Sequence, residues 1–251
     1  MTSSDQAGNP ALEWKLRAAA VPCAVAIALA FHASETGHFF QRTWLTMIPH
    51  EFGHAITAWW CGFAALPGLW KTSIPEARGV VVPLLVAAAS GLAVVRGWRA
   101  NNNALVVLGL VLGALQFVGT TSSIDHARAA MIFGGDAGAM VLGTAMILAF
   151  FVPPGTRLHA TGLRWGLLAI GAATLVDTSA TWWAARTNVD AIPFGEIEGV
   201  GLSDPSKLDE VFGWTTRQIV DRYVVVATAC TVVVIAAWAW STWAAYRRRS
   251  A

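Results

Sequence analysis

Long apolar runs, separated by short polar connections, dominate the chain. The runs cover approximately residues 17–33, 44–65, 79–95, 104–120, 129–152, 164–185 and 218–245. A hydrocarbon core about 30 Å thick needs roughly 20 consecutive apolar residues per helix. The pattern therefore predicts an all-α fold, a polytopic integral membrane helix bundle with six or seven transmembrane segments. We expect residues 1–251 to form a single transmembrane domain.

One connection is much longer than the others and is rich in acidic residues. Residues 186–217 contain Asp190, Glu196, Glu198, Asp204, Asp209 and Glu210. A loop of this length usually has a function or is mobile. Two interpretations stay open: an extramembrane acidic loop that caps a site, or a solvated acidic linker.

The basic residues near the two ends bear on the number of crossings. Lys15 and Arg17 precede the first run, and Arg247-Arg248-Arg249 follows the last one. The positive-inside rule places both ends in the cytoplasm, which requires an even number of crossings. We therefore favour six, with 44–65 or 79–95 as a half-crossing; the alternative is an amino terminus on the outer side.

Composition supports lipid as the solvent. Hydrophobic residues make up 55% of the 251 residues and charged residues 13%, with a mean hydropathy of +0.53, whereas soluble domains carry roughly 25% charged residues. The 13 tryptophans suit the headgroup region of a bilayer. A net charge of +2 gives no reason to expect nucleic-acid binding. We expect a multi-pass protein in the plasma membrane of a prokaryote.

Candidate chemistry is concentrated in the second run, which contains the HExxH motif of residues 50–54. Histidines four residues apart lie on one helix face, so His50 and His54 can bind the same metal ion. The intervening Glu51 is placed to act as a general base in a zinc hydrolase. Ionisable groups at membrane depth are costly, which favours function. The alternative is a pair of histidines that bond to neighbouring helices.

Catalytic zinc needs a third protein ligand. We predict Asp136, because it is the only acidic residue within the fifth apolar run and glycines surround it; small residues let a second helix or a metal approach closely. The alternatives are Glu76, which lies in a polar connection, and Asp125 or His126, which lie at a predicted helix start.

These motifs resemble those of the site-2 protease family of intramembrane zinc metallopeptidases. Residues 50–54 fit the HExGH pattern of that family, with Gly53 as the small residue. The third ligand of the family is an aspartate on a later transmembrane helix, in a Leu-Asp-Gly context, and Asp136 stands here between Gly135 and Ala137. The resemblance covers approximately residues 44–152, the expected metallopeptidase core.

The resemblance implies a function. Zn²⁺ would be bound by His50, His54 and Asp136, and Glu51 would be the catalytic residue. The reaction would be hydrolysis of peptide bonds in or near transmembrane segments of membrane protein substrates. The main alternative is a non-hydrolytic membrane metal-binding protein, such as a pseudoprotease, metal sensor or transporter. A membrane oxidase or desaturase needs several histidine boxes, and the chain has only six histidines.

Three more polar residues lie beside or within apolar runs. His32 and His38 flank the end of the first run, near Glu35, and we interpret them as solvated interfacial histidines, with metal binding as the alternative. Asp177 lies deep within the sixth run. Either it bonds to a neighbouring helix or it supports a zinc-binding histidine.

Overall fold

Helices form almost all of the regular structure. The computed structural model describes residues 10–153, 155–197 and 201–249, so Glu198 of the acidic connection lies outside the described residues. The α-helices are α1 (Pro10–His32), α2 (Glu35–Phe40), α3 (Met47–Trp60), α4 (Val81–Arg99), α5 (Asn103–Thr121), α6 (Ile124–Leu148), α7 (Arg157–Ala160), α8 (Leu163–Ala184), α9 (Asp204–Ser206) and α10 (Thr216–Arg249). Two strands, β1 (Glu196–Ile197) and β2 (Gly201–Leu202), pair antiparallel, with Glu196 opposite Leu202.

Within the described residues, five helices are long and apolar enough to cross a membrane. They cover Leu12–His32, Val81–Arg99, Asn103–Thr121, Ile124–Phe151 and Thr216–Arg248. The prediction of an all-α chain with membrane-spanning helices is therefore confirmed at this level. The runs 44–65 and 164–185 are not among the five. The α3 helix has only 14 residues, and α8 carries Arg164 and Asp177 in its apolar sequence.

The chain divides into two compact units. The first comprises Met1–Pro49, Ala139–Pro193 and Thr215–Ala251. In this unit α1 packs against α8 and α10. A buried ion network joins these three helices: Glu13 contacts Arg17 at 2.9 Å and Arg164 at 3.0 Å, and Arg17 donates to the Ser241 hydroxyl at 2.6 Å. Charged pairs inside an apolar bundle are tolerated when each partner is satisfied in this way.

The second unit comprises His50–Gly138 and Phe194–Trp214. Here α4 and α5 form a helical hairpin, and the Asn102 side chain caps α5 by accepting from the Leu105 N–H at 3.1 Å. The connection from α3 to α4 is held by Arg78, which donates to the Cys61 carbonyl oxygen at 2.9 Å.

The described part of the acidic connection is folded in its second half. Ser203 caps the short α9 helix, and the Ser206 hydroxyl accepts from the Gly195 N–H at 2.9 Å. Leu208 is fully buried, and the Trp214 ring packs against Phe133 of α6 with ring centroids 5.7 Å apart. These contacts fix the backbone around Asp204 within the second unit.

Candidate metal centre

The two motif histidines lie on one face of α3, and both are buried, with 7% exposure each. Their Nε2 atoms are 3.1 Å apart, and the rings meet edge to face with centroids 4.7 Å apart. This is the arrangement that the four-residue spacing predicts for an α-helix. Two imidazole nitrogens therefore point at the same small volume.

A carboxylate from the acidic connection completes this cluster. Asp204 Oδ2 lies 2.9 Å from His54 Nε2 and 3.3 Å from His50 Nε2. Ligand atoms bound to zinc at about 2.0–2.1 Å in a tetrahedron lie about 3.3–3.4 Å from one another. The three separations are close to that spacing, so the donor set His50, His54 and Asp204 fits a tetrahedral cation and could hold one.

The other ring nitrogens of the histidines are held by hydrogen bonds. His54 Nδ1 lies 2.7 Å from the Met131 carbonyl oxygen, and His50 Nδ1 lies 2.9 Å from Asp136 Oδ1. A carbonyl oxygen only accepts, so His54 Nδ1 carries a proton, and the tautomer protonated at Nδ1 alone has a lone pair on Nε2 for a metal ion. The carboxylate of Asp136 favours the same tautomer for His50. Such contacts orient metal-binding histidines and raise their basicity.

Electrostatics keep the Asp204 carboxyl ionised. Burial raises the pKa of Asp204, but the hydrogen bonds and charge interactions with His50 and His54 outweigh burial and hold that pKa well below its usual range. Lys207 Nζ, 3.5 Å from Asp204 Oδ1, lies on the other side of the carboxylate. A carboxylate must be deprotonated to bind a metal. The Asp204 carboxyl group is deprotonated at neutral pH.

Glu51 directly follows His50 in the sequence, and its side chain is buried, with 4% exposure. The Thr72 hydroxyl lies 2.7 Å from Glu51 Oε2 and 2.8 Å from the Glu51 carbonyl oxygen. Thr72 belongs to the connection between α3 and α4, so this connection fixes the orientation of the carboxylate. When one oxygen of a carboxylate accepts such a hydrogen bond, the other oxygen remains available for proton transfer.

Glycines allow α3 and α6 to approach closely at this site. The Cα of Gly53 packs against Gly138, and a methyl group on Gly53 would contact the Gly134 carbonyl oxygen and lie 2.7 Å from that of Gly135. A methyl group on Gly135 would lie 2.6 Å from both His50 Cε1 and His54 Nε2. The absence of side chains here brings the α6 backbone against the two imidazole rings.

We expect Gly53→Ala to destabilise the protein and weaken metal binding, because backbone carbonyls cannot yield as a flexible side chain can. Overpacking of this kind costs about 1–3 kcal/mol. Thermal unfolding in detergent and zinc titration would measure both effects. The matched control is Gly91→Ala in α4, where a methyl group meets nothing within 4 Å. Equal unfolding temperatures for the two variants would contradict the close packing.

The residues predicted from sequence are brought together in part. His50, Glu51, His54 and Asp136 are all buried in the second unit, with Asp136 at Nδ1 of His50 and not at the Nε2 atoms. Among the described residues, the metal-binding groups do not include Glu76, Asp125 or His126. All three are exposed, and His126 Nδ1 contacts the Ser123 hydroxyl at 2.6 Å.

Asp204 was not predicted as a site residue. In the sequence it is one of several acidic residues in the connection 186–217. A weak signal was present, since Ser203-Asp204-Pro205 has the composition of a helix start. Nothing in that pattern points toward α3.

Comparisons of the chain with protein-family models, with curated proteins and with solved structures found no match.

Proposed function

We propose that the protein is a membrane-embedded zinc metallopeptidase. The observation that carries the proposal is the set of three donor atoms, His50 Nε2, His54 Nε2 and Asp204 Oδ2, which lie 2.9–3.3 Å apart at two buried histidines and a half-buried aspartate. The adjacent Glu51 adds a general base to a metal site. This combination is typical of zinc hydrolases with an HExxH helix.

We assign the metal ligands to His50, His54 and Asp204, and an orienting role to Asp136. The spacing of the Nε2 atoms and Asp204 supports the first assignment. The contact of Asp136 with His50 Nδ1 supports the second, because a carboxylate at that nitrogen directs the lone pair of Nε2 toward the ion. The sequence-based alternative, Asp136 as the third ligand, requires its carboxylate to move from Nδ1 to the Nε2 side.

The proposed reaction is hydrolysis of a peptide bond. Bound zinc supplies Lewis acidity toward water and toward the substrate carbonyl group. Glu51 accepts the proton that the attacking water loses, and Glu51 then donates this proton to the amine of the leaving peptide. Thr72 holds Glu51 Oε2, which leaves Oε1 to carry the proton. Asp136 and the Met131 carbonyl oxygen hold the Nδ1 side of His50 and His54, so both Nε2 atoms would face a bound ion.

The proposed substrates are transmembrane or membrane-adjacent segments of other proteins. The five candidate spanning helices support a location in a bilayer, and a plasma membrane of a prokaryote remains our proposal. We also retain six or seven crossings as a proposal, in which α3 and α8 accompany the five. A substrate helix must unwind locally, since its hydrogen bonds shield the peptide carbonyls. The resemblance to site-2 proteases is in line with this substrate class.

The non-hydrolytic alternative needs the histidines but not the glutamate. The burial of Glu51 and its contact with Thr72 favour the hydrolase. An ionisable side chain that serves no reaction would be costly to keep in this environment.

Zinc analysis tests the proposal directly. We expect His54→Ala to bind one zinc ion fewer per chain than the wild type and to lose peptidase activity, because a single imidazole and one carboxylate hold zinc weakly. Mass spectrometry of the metal in protein purified without a histidine tag would measure this. The exposed His126→Ala variant is the control and should keep the full zinc content. Equal zinc in both variants would exclude this centre.

A further inference from the structure

A second cluster of metal-binding side chains lies in the first unit, where α1 ends. His32 is the last residue of α1, His38 lies in α2, and Asp177 lies in α8. His32 Nδ1 is 3.3 Å and His38 Nε2 is 3.0 Å from the same oxygen, Asp177 Oδ1. The two rings meet edge to face with centroids 4.6 Å apart. The three donor atoms all lie within 4.8 Å of one another.

The charge of Asp177 alone does not explain this convergence. The aspartate is fully buried, and Arg42 Nη1 lies 3.3 Å from its second oxygen, Oδ2. The arginine already neutralises the carboxylate. Two imidazoles from different helices nevertheless lie within 3.3 Å of the other carboxylate oxygen, Oδ1. That oxygen and the two ring nitrogens form a donor set of the kind that binds transition metals.

We propose that His32, His38 and Asp177 form a second metal site, for a divalent ion such as Zn²⁺, Co²⁺ or Ni²⁺. Imidazole nitrogen with one carboxylate oxygen suits these ions, whereas Mg²⁺ and Ca²⁺ prefer oxygen ligands throughout. The His38 side chain is 44% exposed, so an ion can reach the cluster from the surface. Three protein donors leave one position of a tetrahedral ion for water or another ligand.

The site would connect the end of α1 to α8 through metal bonds. The short segment from His32 to Glu35 joins α1 to α2, and Ser34 caps α2 by accepting from the Gly37 N–H at 3.1 Å. This cap fixes the start of α2, and with it the turn between the helices that carry His32 and His38. Metal bound to the folded state alone stabilises that state. We expect the ion to raise the unfolding temperature of the protein.

The number of Co²⁺ ions bound per chain by a variant that lacks the first centre tests the second site. Full-length protein carrying His54→Ala, purified without a histidine tag and stripped with a chelator, is titrated with Co²⁺ in detergent. We expect one equivalent, with visible absorption of a four-coordinate ion. Adding His38→Gln should reduce this to none, because glutamine keeps an N–H donor for Asp177 but is a poor transition-metal ligand. Adding His126→Gln, at an exposed histidine, should leave one equivalent.

Two results would overturn the site: no cobalt in the His54→Ala protein, or unchanged cobalt after His38→Gln. His32→Gln serves as a second variant if His38→Gln loses its cooperative unfolding transition, and cobalt kept by a folded His32→Gln protein would equally exclude the site. The first centre is tested separately, by comparing the zinc content of the His54→Ala protein with that of the wild type. Failure of the second site is therefore distinguishable from failure of the first centre.

Discussion

Replacement of Asp204 by asparagine should remove zinc from the first centre, whereas the same replacement at Asp136 should leave it bound. Asparagine still accepts a hydrogen bond from His50 Nδ1, so Asp136→Asn keeps the histidine oriented. An amide oxygen is a much poorer zinc ligand than a carboxylate, so Asp204→Asn loses a metal bond. We expect a loss of zinc affinity of about 100-fold or more for Asp204→Asn, beyond the roughly 10–100-fold typical of residues that only orient a ligand.

Alanine variants and one neighbouring acid complete this comparison. Asp204→Ala should match Asp204→Asn, whereas Asp136→Ala should weaken binding about 10–100-fold because the hydrogen bond is lost. The control is Asp209→Asn, an exposed acid in the same connection, which should bind zinc as the wild type does. Competition with a chelator of known affinity measures the zinc affinity of all five variants and of the wild type. If Asp136→Asn loses zinc while Asp204→Asn retains it, the third ligand is Asp136.

Substitution of Glu51 by glutamine should stop cleavage without removing zinc. Glutamine has nearly the same shape and can still accept from Thr72, but it cannot take a proton from water. Loss of a general base typically lowers the rate about 10²–10⁴-fold. Single-spanning peptides that carry glycine or proline within the span, reconstituted with the protein in liposomes, would report cleavage by mass spectrometry. Metal analysis of the same samples gives the zinc content.

Glu210→Gln provides the matched control for this substitution. Glu210 is an exposed glutamate in the segment that carries Asp204, so the variant should cleave and bind zinc like the wild type. Cleavage by Glu51→Gln at the wild-type rate would exclude Glu51 as the base. A wild-type protein that binds zinc but cleaves none of the peptides would favour the non-hydrolytic alternative.

The local part of the site could be predicted from sequence, and the long-range part could not. The spacing of His50 and His54 determines their shared face on a helix, because helical periodicity is a local property. The glycines around Asp136 indicated a close helix contact, and α6 does approach α3 there. Asp204 lies in a segment held by the Gly195–Ser206 hydrogen bond, the buried Leu208 and the contact of the Trp214 ring with Phe133. Such contacts depend on the whole unit and leave no periodic pattern in the sequence.

The apolar runs predicted helices better than they predicted crossings. The runs 104–120, 129–152 and 218–245 correspond to α5, α6 and α10, each of which contains an apolar stretch long enough to cross a membrane. The apolar run 44–65 predicts one continuous segment, but α3 ends at Trp60. Gly62 follows with a φ of +89°, in the left-handed region that ends helices. Apolar composition continued past the helix because Phe63 and Ala65 are buried in the core around α3.

The position of Asp204 late in the chain has a consequence for biosynthesis. A ribosome releases the α3 histidines long before it releases the α9 aspartate, and α4 to α8 are synthesised in between. During that interval the nascent protein has two of its three proposed zinc donors and no complete centre. Under the proposed function, hydrolytic competence would therefore arise only after most of the helices have been synthesised.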